Sequence, residues 1–397
     1  MTPLPTPADP PDVSRTDFDQ LTAHDLRAAG SLKWTRYGGD VIGAFVAEMD
    51  FGTAAPVVAA LQQAVRAGRF GYLPPDLADE LAAATAAWQQ RRYGWRVAPE
   101  QVQPVSDVLT AFKLTLQHFT PPDTPVILPT PTYMPFTFVP GQLGRQVIEV
   151  PMRVDAQGRY QLDLAGIDAA FAAGGRLLVL CHPANPVGRV FSADELVEVS
   201  QLVARYDGRV FADEIHAPLV YPGHQHIPYA STGPVAAVHT VTAVSASKAW
   251  NVPGLKCAQV ILPLADLPVW QQVGITGATI ASSLGAVAST AAYRRGERWL
   301  AGVLQYLDGN RQVLAQLLAE YLPQVGYHPP EGTYLAWLDV RQLGLDEPAE
   351  FFRERAGVAL VDGATCGAAG RGYLRLNFAT PRPILHRIVT RMSHALR

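Results

Sequence analysis

The chain has 397 residues, too many for one simple core and suited to a large lobe joined to a smaller one. Lys and Arg total 32 against 35 Asp and Glu, and the resulting net charge of -3 leaves no basic footprint for nucleic acid. No run of about 18 uninterrupted apolar residues is present to span a membrane, and three widely spaced cysteines, Cys181, Cys257 and Cys366, read as buried structural thiols in a reducing cytoplasm.

Residues 1–31 carry prolines at 3, 5, 7, 10 and 11 and lack the basic start and apolar stretch of a signal peptide, so they are expected to form a flexible arm. Residues 32–60 are expected to belong to a smaller domain, 61–298 to a large domain and 299–397 to the rest of the smaller one. Ser106-Asp-Val-Leu109 precedes an apolar-periodic stretch, which predicts a helix N-terminus whose free N–H groups, at Val108 and Leu109, favour an anion. The apolar runs 176–181, 210–212 and 238–244 predict buried parallel strands ending at Cys181, Asp213 and Ser245. Between the first two, Ser192 and Glu195 have the spacing of a capping box opening a helix through Tyr206. Helices are expected over 280–293 and 299–321, a strand over 332–339 and a last short helix over 348–357. The whole predicts an α/β fold, a mainly parallel sheet with a smaller α+β domain.

In such sheets ligands gather beyond the carboxyl ends of the strands. Here those ends are chemically dense, with Asn185 after the first, Asp213-Glu-Ile-His216 after the second and Ser245-Ala-Ser-Lys248 after the third. Lysine is scarce, with four residues at 33, 113, 248 and 256 in a chain that otherwise uses arginine. Arginine stays protonated and cannot form a Schiff base, so a retained lysine points to amine chemistry. Pyridoxal phosphate needs such an amine, a carboxylate at its pyridine nitrogen, a donor at its phenolate oxygen, a stacking ring and a phosphate cup. Lys248, Asp213, Asn185 and Tyr133 are the candidates for the first four. Ser245, Ser247, Lys256 and the helix start at Val108 and Leu109 are the candidates for the cup. Glu214, beside Asp213, faces the opposite way on an extended chain and is expected to be structural. His224 and His226 lack the further ligands a metal site needs and are expected to serve the loop.

The segments Cys181-His-Pro-Ala-Asn-Pro-Val-Gly-Arg189, Ala212-Asp-Glu-Ile-His216, Ser245-Ala-Ser-Lys248 with Gly254-Leu-Lys256, and Leu374-Arg-Leu-Asn-Phe-Ala-Thr-Pro-Arg382 resemble those of the fold-type I, class I/II aminotransferases. Val46-Ala-Glu-Met-Asp-Phe51 and the stretch from Asp213 to Pro228 resemble the cystathionine β-lyase (C–S lyase) branch of the MalY/PatB type. The resemblance runs from about residue 32 to the C-terminus. It implies a seven-stranded, mainly parallel large domain and pyridoxal 5′-phosphate as cofactor. Lys248 would be the catalytic Schiff-base lysine, and Arg375, with Asn185 and Tyr72, would bind substrate. Tyr72 would reach the neighbouring subunit's phosphate in a homodimer with shared sites. His216 stands where most aminotransferases have tyrosine, as in the lyase branch, and its role stays open. Asp107 stands where glycine is usual, so its carboxylate should point away from the phosphate or the cup should differ locally.

The implied reaction is β-elimination from an L-cysteine S-conjugate such as cystathionine, yielding pyruvate, ammonia and a thiol. An aminotransferase on the same scaffold is the rival reading. A binding or regulatory protein that keeps the fold is a third, weakened because no basic helix-turn-helix segment precedes residue 32. Lys248→Ala should abolish turnover, whereas Lys256→Arg should leave substantial activity, because a phosphate accepts either cation; steady-state assays of the two variants check this.

Overall fold

The computed structural model describes residues 18–272 and 281–397. The proline-bearing start and the expected first residue of the 280–293 helix lie outside the described residues.

Seven strands form the large sheet: β1 (Val102–Val105), β2 (Val126–Thr130), β3 (Val147–Pro151), β4 (Leu177–Cys181), β5 (Arg209–Asp213), β6 (Thr240–Val244) and β7 (Ala258–Ile261). Their spatial order is β1-β7-β6-β5-β4-β2-β3. The five from β6 to β3 run parallel, while β7 is antiparallel to both of its neighbours. This is the expected α/β fold with a mainly parallel sheet. Residues 238 and 239, expected in a strand, instead end the helix Pro234–His239, whose start is set by proline in its first turn.

The continuous apolar runs of β4 to β6 follow from burial on both faces. Side chains alternate along each strand. Leu177, Val179, Phe211 and Val241 therefore pack on one face with Phe112 and Phe136. Leu178, Leu180, Val210 and Ala212 pack on the other with Phe171, Phe191 and Leu196. The helix Ala193–Arg205 starts with the expected capping box, Ser192 accepting from the Glu195 N–H and Glu195 from the Ser192 N–H.

The second sheet is antiparallel, made of β8 (Gly326–Tyr327), β9 (Leu335–Asp339), β10 (Val361–Asp362) and β11 (Tyr373–Asn377), in the order β8-β9-β11-β10. Alternation along β11 sinks Leu374 and Leu376 into a core with the helices Glu297–Tyr321 and Arg382–Ala395. Arg375 must then face the opposite way, beside Trp337 of β9 and Val361 of β10 in register. That face looks onto the carboxyl ends of the large sheet.

Residues 18–31, expected within a flexible arm, are folded. Phe18 is buried with its ring 4.5 Å from Phe51 and 5.2 Å from Tyr306, and Ala23–Ala29 is a helix with a Thr22–Asp25 capping box and Gly30 at its C-cap. Burial of Phe18 and Leu26 favours order over the freedom of an arm.

Next in the chain, residues 45–52 run between the two sheets. The Asn377 side-chain amide donates to the carbonyls of Val46 and Glu48 at 2.7 and 2.6 Å. Asn251 accepts from the Met49 N–H and donates to the Met49 and Gly52 carbonyls. Asp50 is buried and takes Lys33 Nζ at 2.9 Å and the Trp34 indole N–H at 2.8 Å, while Lys33 also donates to the Ala379 carbonyl. Both ion-pair partners are out of water, so removing one leaves the other charge uncompensated. Lys33→Met should therefore cost about 3–5 kcal/mol of stability, read as a lowered urea midpoint.

Candidate active site

A cleft of about 320 Å³ opens where the large sheet's strand ends meet the Arg375 face of the small sheet. Its lining includes Lys248, Asp213, Asn185, Tyr133, His216 and Arg375, together with Ser247, Lys256, Asp107, Val108 and Leu109. Residues drawn from positions 45 to 375 are thus brought to one place. Ser245 and Tyr72 are not among them.

Lys248 follows β6 on the turn opened by Ser245, and its Nζ donates to the Ala47 carbonyl at 2.9 Å, which also accepts from the Tyr334 hydroxyl at 2.9 Å. Burial, reinforced by the nearby Arg375 cation, lowers the amine from its ordinary 10.5 to about 8. The neutral, nucleophilic form is therefore within reach near neutral pH.

Asp213 ends β5. Its Oδ1 accepts from the Ile215 N–H at 3.2 Å, and the Cys181 thiol, 3.8 Å from Oδ2, donates weakly to it. Burial pushes the carboxyl up to about 7, against the Ile215 and Cys181 bonds and Lys248, which favour the anion. A cation placed against Asp213, such as a protonated pyridine nitrogen, would offset that burial cost. Cys181 is buried as expected for a structural thiol, yet its sulfur also accepts from the Asn185 N–H at 3.4 Å. It touches two of the three residues expected on the cofactor ring, Asp213 and Asn185.

Arg375 is 3 % exposed. It gives Nη1 to Asn185 Oδ1 at 3.1 Å and Nη2 to the Phe45 carbonyl at 2.8 Å, and its Nε has no hydrogen-bond partner. No carboxylate pairs with it among the described residues. Asn185 Oδ1 is occupied by Arg375, which leaves the amide NH₂ as its donor toward the cleft. The Asn185 loop is held by Arg189, whose guanidinium pairs with Glu331 and Glu195 at 2.9 and 2.8 Å.

Tyr133 packs edge-on against Phe136 and presents a phenol kept neutral by burial and by the Asp213 charge. His216 is buried, and that burial, with the Lys248 and Arg375 cations, lowers its imidazole to about 3. It is a neutral ring whose Nδ1 has no partner.

At the far end of the cleft the helix Val108–His118 begins, with Val108, Leu109, Ser247 and Lys256 around its N-terminus. Asp107 does not point away. It caps this helix and also binds Lys256. Two expected contributors depart from the cleft. Ser245 is buried, donating to the Cys257 carbonyl at 2.8 Å and accepting from the Ser247 N–H at 3.0 Å, so its hydroxyl shapes the turn instead of facing an anion. Tyr72 is 88 % exposed on the outer surface beside the Gly71 carbonyl, which Ser283 binds.

Glu214 is buried away from the cleft, as expected. It accepts from the Tyr229 N–H at 2.7 Å and meets His226 Nε2 at 3.2 Å. His226, expected in a loop role, is buried and stacked on His182 with centroids 4.5 Å apart. Burial raises Glu214 to about 8 and lowers His226 to about 3, so the two form a neutral hydrogen-bonded pair. No cluster of potential metal ligands is present among the described residues.

The donor set fits pyridoxal phosphate: an amine of lowered basicity, a buried carboxylate, an amide donor, an aromatic ring and a helix N-terminus with a lysine share one cleft. Comparison with known proteins agrees. The chain is 39 % identical over 374 residues to the cystathionine β-lyase of Corynebacterium glutamicum, covering 94 % of this chain and 98 % of that one. It is 31 % identical to the cystathionine β-lyase PatB of Bacillus subtilis, over 91 % and 97 % of the two chains. The PLP-bound C–S lyase of Staphylococcus hominis superposes with a TM-score of 0.88 at 29 % identity, over 96 % of this chain and 98 % of that one. The family model for aminotransferase class I and II matches residues 41–392, and the chain belongs to that family.

Proposed function

We infer that this protein is a pyridoxal 5′-phosphate-dependent C–S β-lyase that cleaves cystathionine or a related L-cysteine S-conjugate to pyruvate, ammonia and a thiol. The observation that carries this reading is a buried Arg375 with no carboxylate partner among the described residues, set in one cleft with Lys248 and Asp213. Relatives 31 to 39 % identical over nearly the whole chain include cystathionine β-lyases.

When bound, the cofactor supplies an electron sink for the pair left at the substrate Cα. Lys248 would hold the aldehyde, and Asp213 would face the pyridine nitrogen and favour its proton. Asn185 would donate to the phenolate oxygen, and Tyr133 would offer its ring face. Arg375 would fix the α-carboxylate through a fork of its unpartnered Nε and the Nη protons that Asn185 and Phe45 do not take. This orients the Cα–H bond toward Lys248. A free Lys248 Nζ would take the Cα proton, a role suited to an amine lowered to about 8. The Cα pair would then form a Cα–Cβ double bond as the Cβ–S bond breaks with its pair on sulfur, which takes the proton carried by Lys248 and departs as the thiol; water hydrolyses the released enamine to pyruvate and ammonia.

We further propose a homodimer in the cytoplasm. Phe70 and Tyr72 are large aromatic groups left 68 % and 88 % exposed on one loop, which suits coverage by a second copy whose phosphate Tyr72 would reach. Free Cys181, Cys257 and Cys366 suit a reducing compartment.

Incubation with cystathionine should release pyruvate, ammonia and a free thiol in equal amounts. Release of a keto acid with conversion of the cofactor to its amine form would favour the aminotransferase, and no pyruvate from any cysteine thioether would overturn the lyase. The lowered amine has a stability consequence as well. Below about pH 8 the fold must bury a protonated Lys248, and that cost fades as pH rises from about 8 to 10.5. Lys248→Met should thus raise the melting temperature of the cofactor-free protein at pH 7, with the gain shrinking by about pH 10.

A further inference from the structure

The phosphate end of the cleft contains an anion of the chain's own. Asp107 has an extended backbone (φ -163°, ψ 171°) and is the N-cap of the helix Val108–His118. Its Oδ1 accepts from the Thr110 N–H at 2.8 Å, and its Oδ2 accepts from Lys256 Nζ at 2.9 Å. Ser106 and Thr110 hydroxyls close the first turn at 2.8 Å. Burial pushes the Asp107 carboxyl up, but the bonds from Lys256 and the Thr110 N–H outweigh it, so it lies below the ordinary range and is ionised.

Two of the groups that attract a phosphate to this spot are therefore already engaged by a carboxylate. The donors left are the N–H groups of Val108 and Leu109, which have no partner within a helix, and Ser247. Ser245 is not available, because its hydroxyl serves Cys257 and Ser247. Of the three cations in the cleft, Lys248 and Arg375 are committed to Ala47 and to Phe45 and Asn185. Lys256 alone stands at this end, and its charge is balanced by Asp107. A phosphate monoester, with a charge between about -1.5 and -2, would meet a pair that is neutral overall. Lys256 Nζ has three protons and can bridge carboxylate and phosphate, but its single charge is divided between them.

We propose that Asp107 sets the affinity for the cofactor: its carboxylate positions Lys256 and the first helical turn and, by its charge, loosens the hold on the phosphate group. The proposal rests on the pyridoxal phosphate reading above. It gives a reason for an acidic residue where phosphate binding alone favours none. Asp107 organises the cup and at the same time limits its strength, so that cofactor occupancy responds to the supply of free cofactor instead of being fixed. Asp107 touches no reacting atom; it acts through Lys256 and the helix.

The test titrates the cofactor-free full chain with pyridoxal phosphate and, separately, with pyridoxal, which has the aldehyde but no phosphate. Binding is read from the visible absorbance that arises on Lys248. Asp107→Asn keeps an N-cap acceptor and removes the charge. It should tighten pyridoxal phosphate about three- to tenfold, the size of one screened unit charge at close range, and leave pyridoxal unchanged. Asp107→Ser, also a good cap and neutral, should do the same if the asparagine variant folds poorly. Lys256→Met should weaken pyridoxal phosphate, and the gain from Asp107→Asn should be larger in that background, where no ammonium shields the carboxylate. Unchanged or weaker pyridoxal phosphate binding by folded Asp107→Asn and Asp107→Ser overturns the proposal. Equal tightening of pyridoxal also overturns it, because the effect would not pass through the phosphate. Failure of the wild-type chain to bind pyridoxal phosphate at all would instead sink the cofactor reading.

Discussion

The site depends on two cations, buried Arg375 and half-buried Lys248, that no carboxylate pairs with among the described residues. Lys248 rests on the Ala47 carbonyl, and Arg375 rests on the Phe45 carbonyl and the Asn185 amide oxygen. A buried charge needs hydrogen-bonding partners, but an ion-pair partner would neutralise it. Neutral oxygens take part of the donor set and leave the charges unspent. A substrate carboxylate then finds an unneutralised guanidinium, and the amine, penalised by burial and by that same guanidinium, loses its proton more readily than an exposed lysine.

Those carbonyls belong to residues 45–47, so the segment that carries them must be held firmly. It has no regular hydrogen-bonding ladder of its own over 45–52, and side chains supply the restraint instead. Asn377 reaches it from β11, two residues beyond Arg375, and Asn251 from the turn three residues beyond Lys248. The segment is thus fastened by the same two stretches that present the cations. Lys33, Trp34 and Asp50 fix its far end with a buried charge pair. The small sheet, the N-terminal segment and the large sheet's rim are in this way one mechanical unit around the cleft.

The parts of this arrangement that were legible in the sequence share a physical cause. Buried parallel strands are continuous apolar runs, so their ends are marked by the first polar residue, which made Asp213 and the Asn185 and Lys248 turns visible. The Ser192 capping box is a local interaction and needs no tertiary context. What could not be read depends on three-dimensional placement. Ser245 and Ser247 are equivalent in composition, and only the fold of the turn decides that the first serves Cys257 and the second lines the cleft. Ala47 and Phe45 act through backbone oxygens, which carry no residue signature. Phe18 and Leu26 were obscured by the proline-rich start, although the capping-box spacing of Thr22 and Asp25 was a signal that could have placed a helix there. His226 was separated from its partner Glu214 by a loop whose closure no spacing rule gives.

The scarcity of lysine now has a more specific meaning than a hint of amine chemistry. Three of the four lysines make contacts through a compact ammonium in confined or charged settings. Lys33 fits its Nζ between the Asp50 carboxylate and the Ala379 carbonyl in a buried site, where a planar guanidinium would need more room and more acceptors. Lys256 meets Asp107 from a left-handed backbone at φ 48° and is 62 % exposed along its side chain, so space does not select lysine there. Lys248 has one acceptor, Ala47, and would bury most of a guanidinium's five donors without partners. Steric and hydrogen-bonding limits thus select lysine at two sites even before chemistry is considered. Only at position 248 does the same preference coincide with a need for a group that can lose a proton. The composition marked places where a point charge fits; the cleft, with its carboxylate and its unpaired guanidinium, distinguishes the one that reacts.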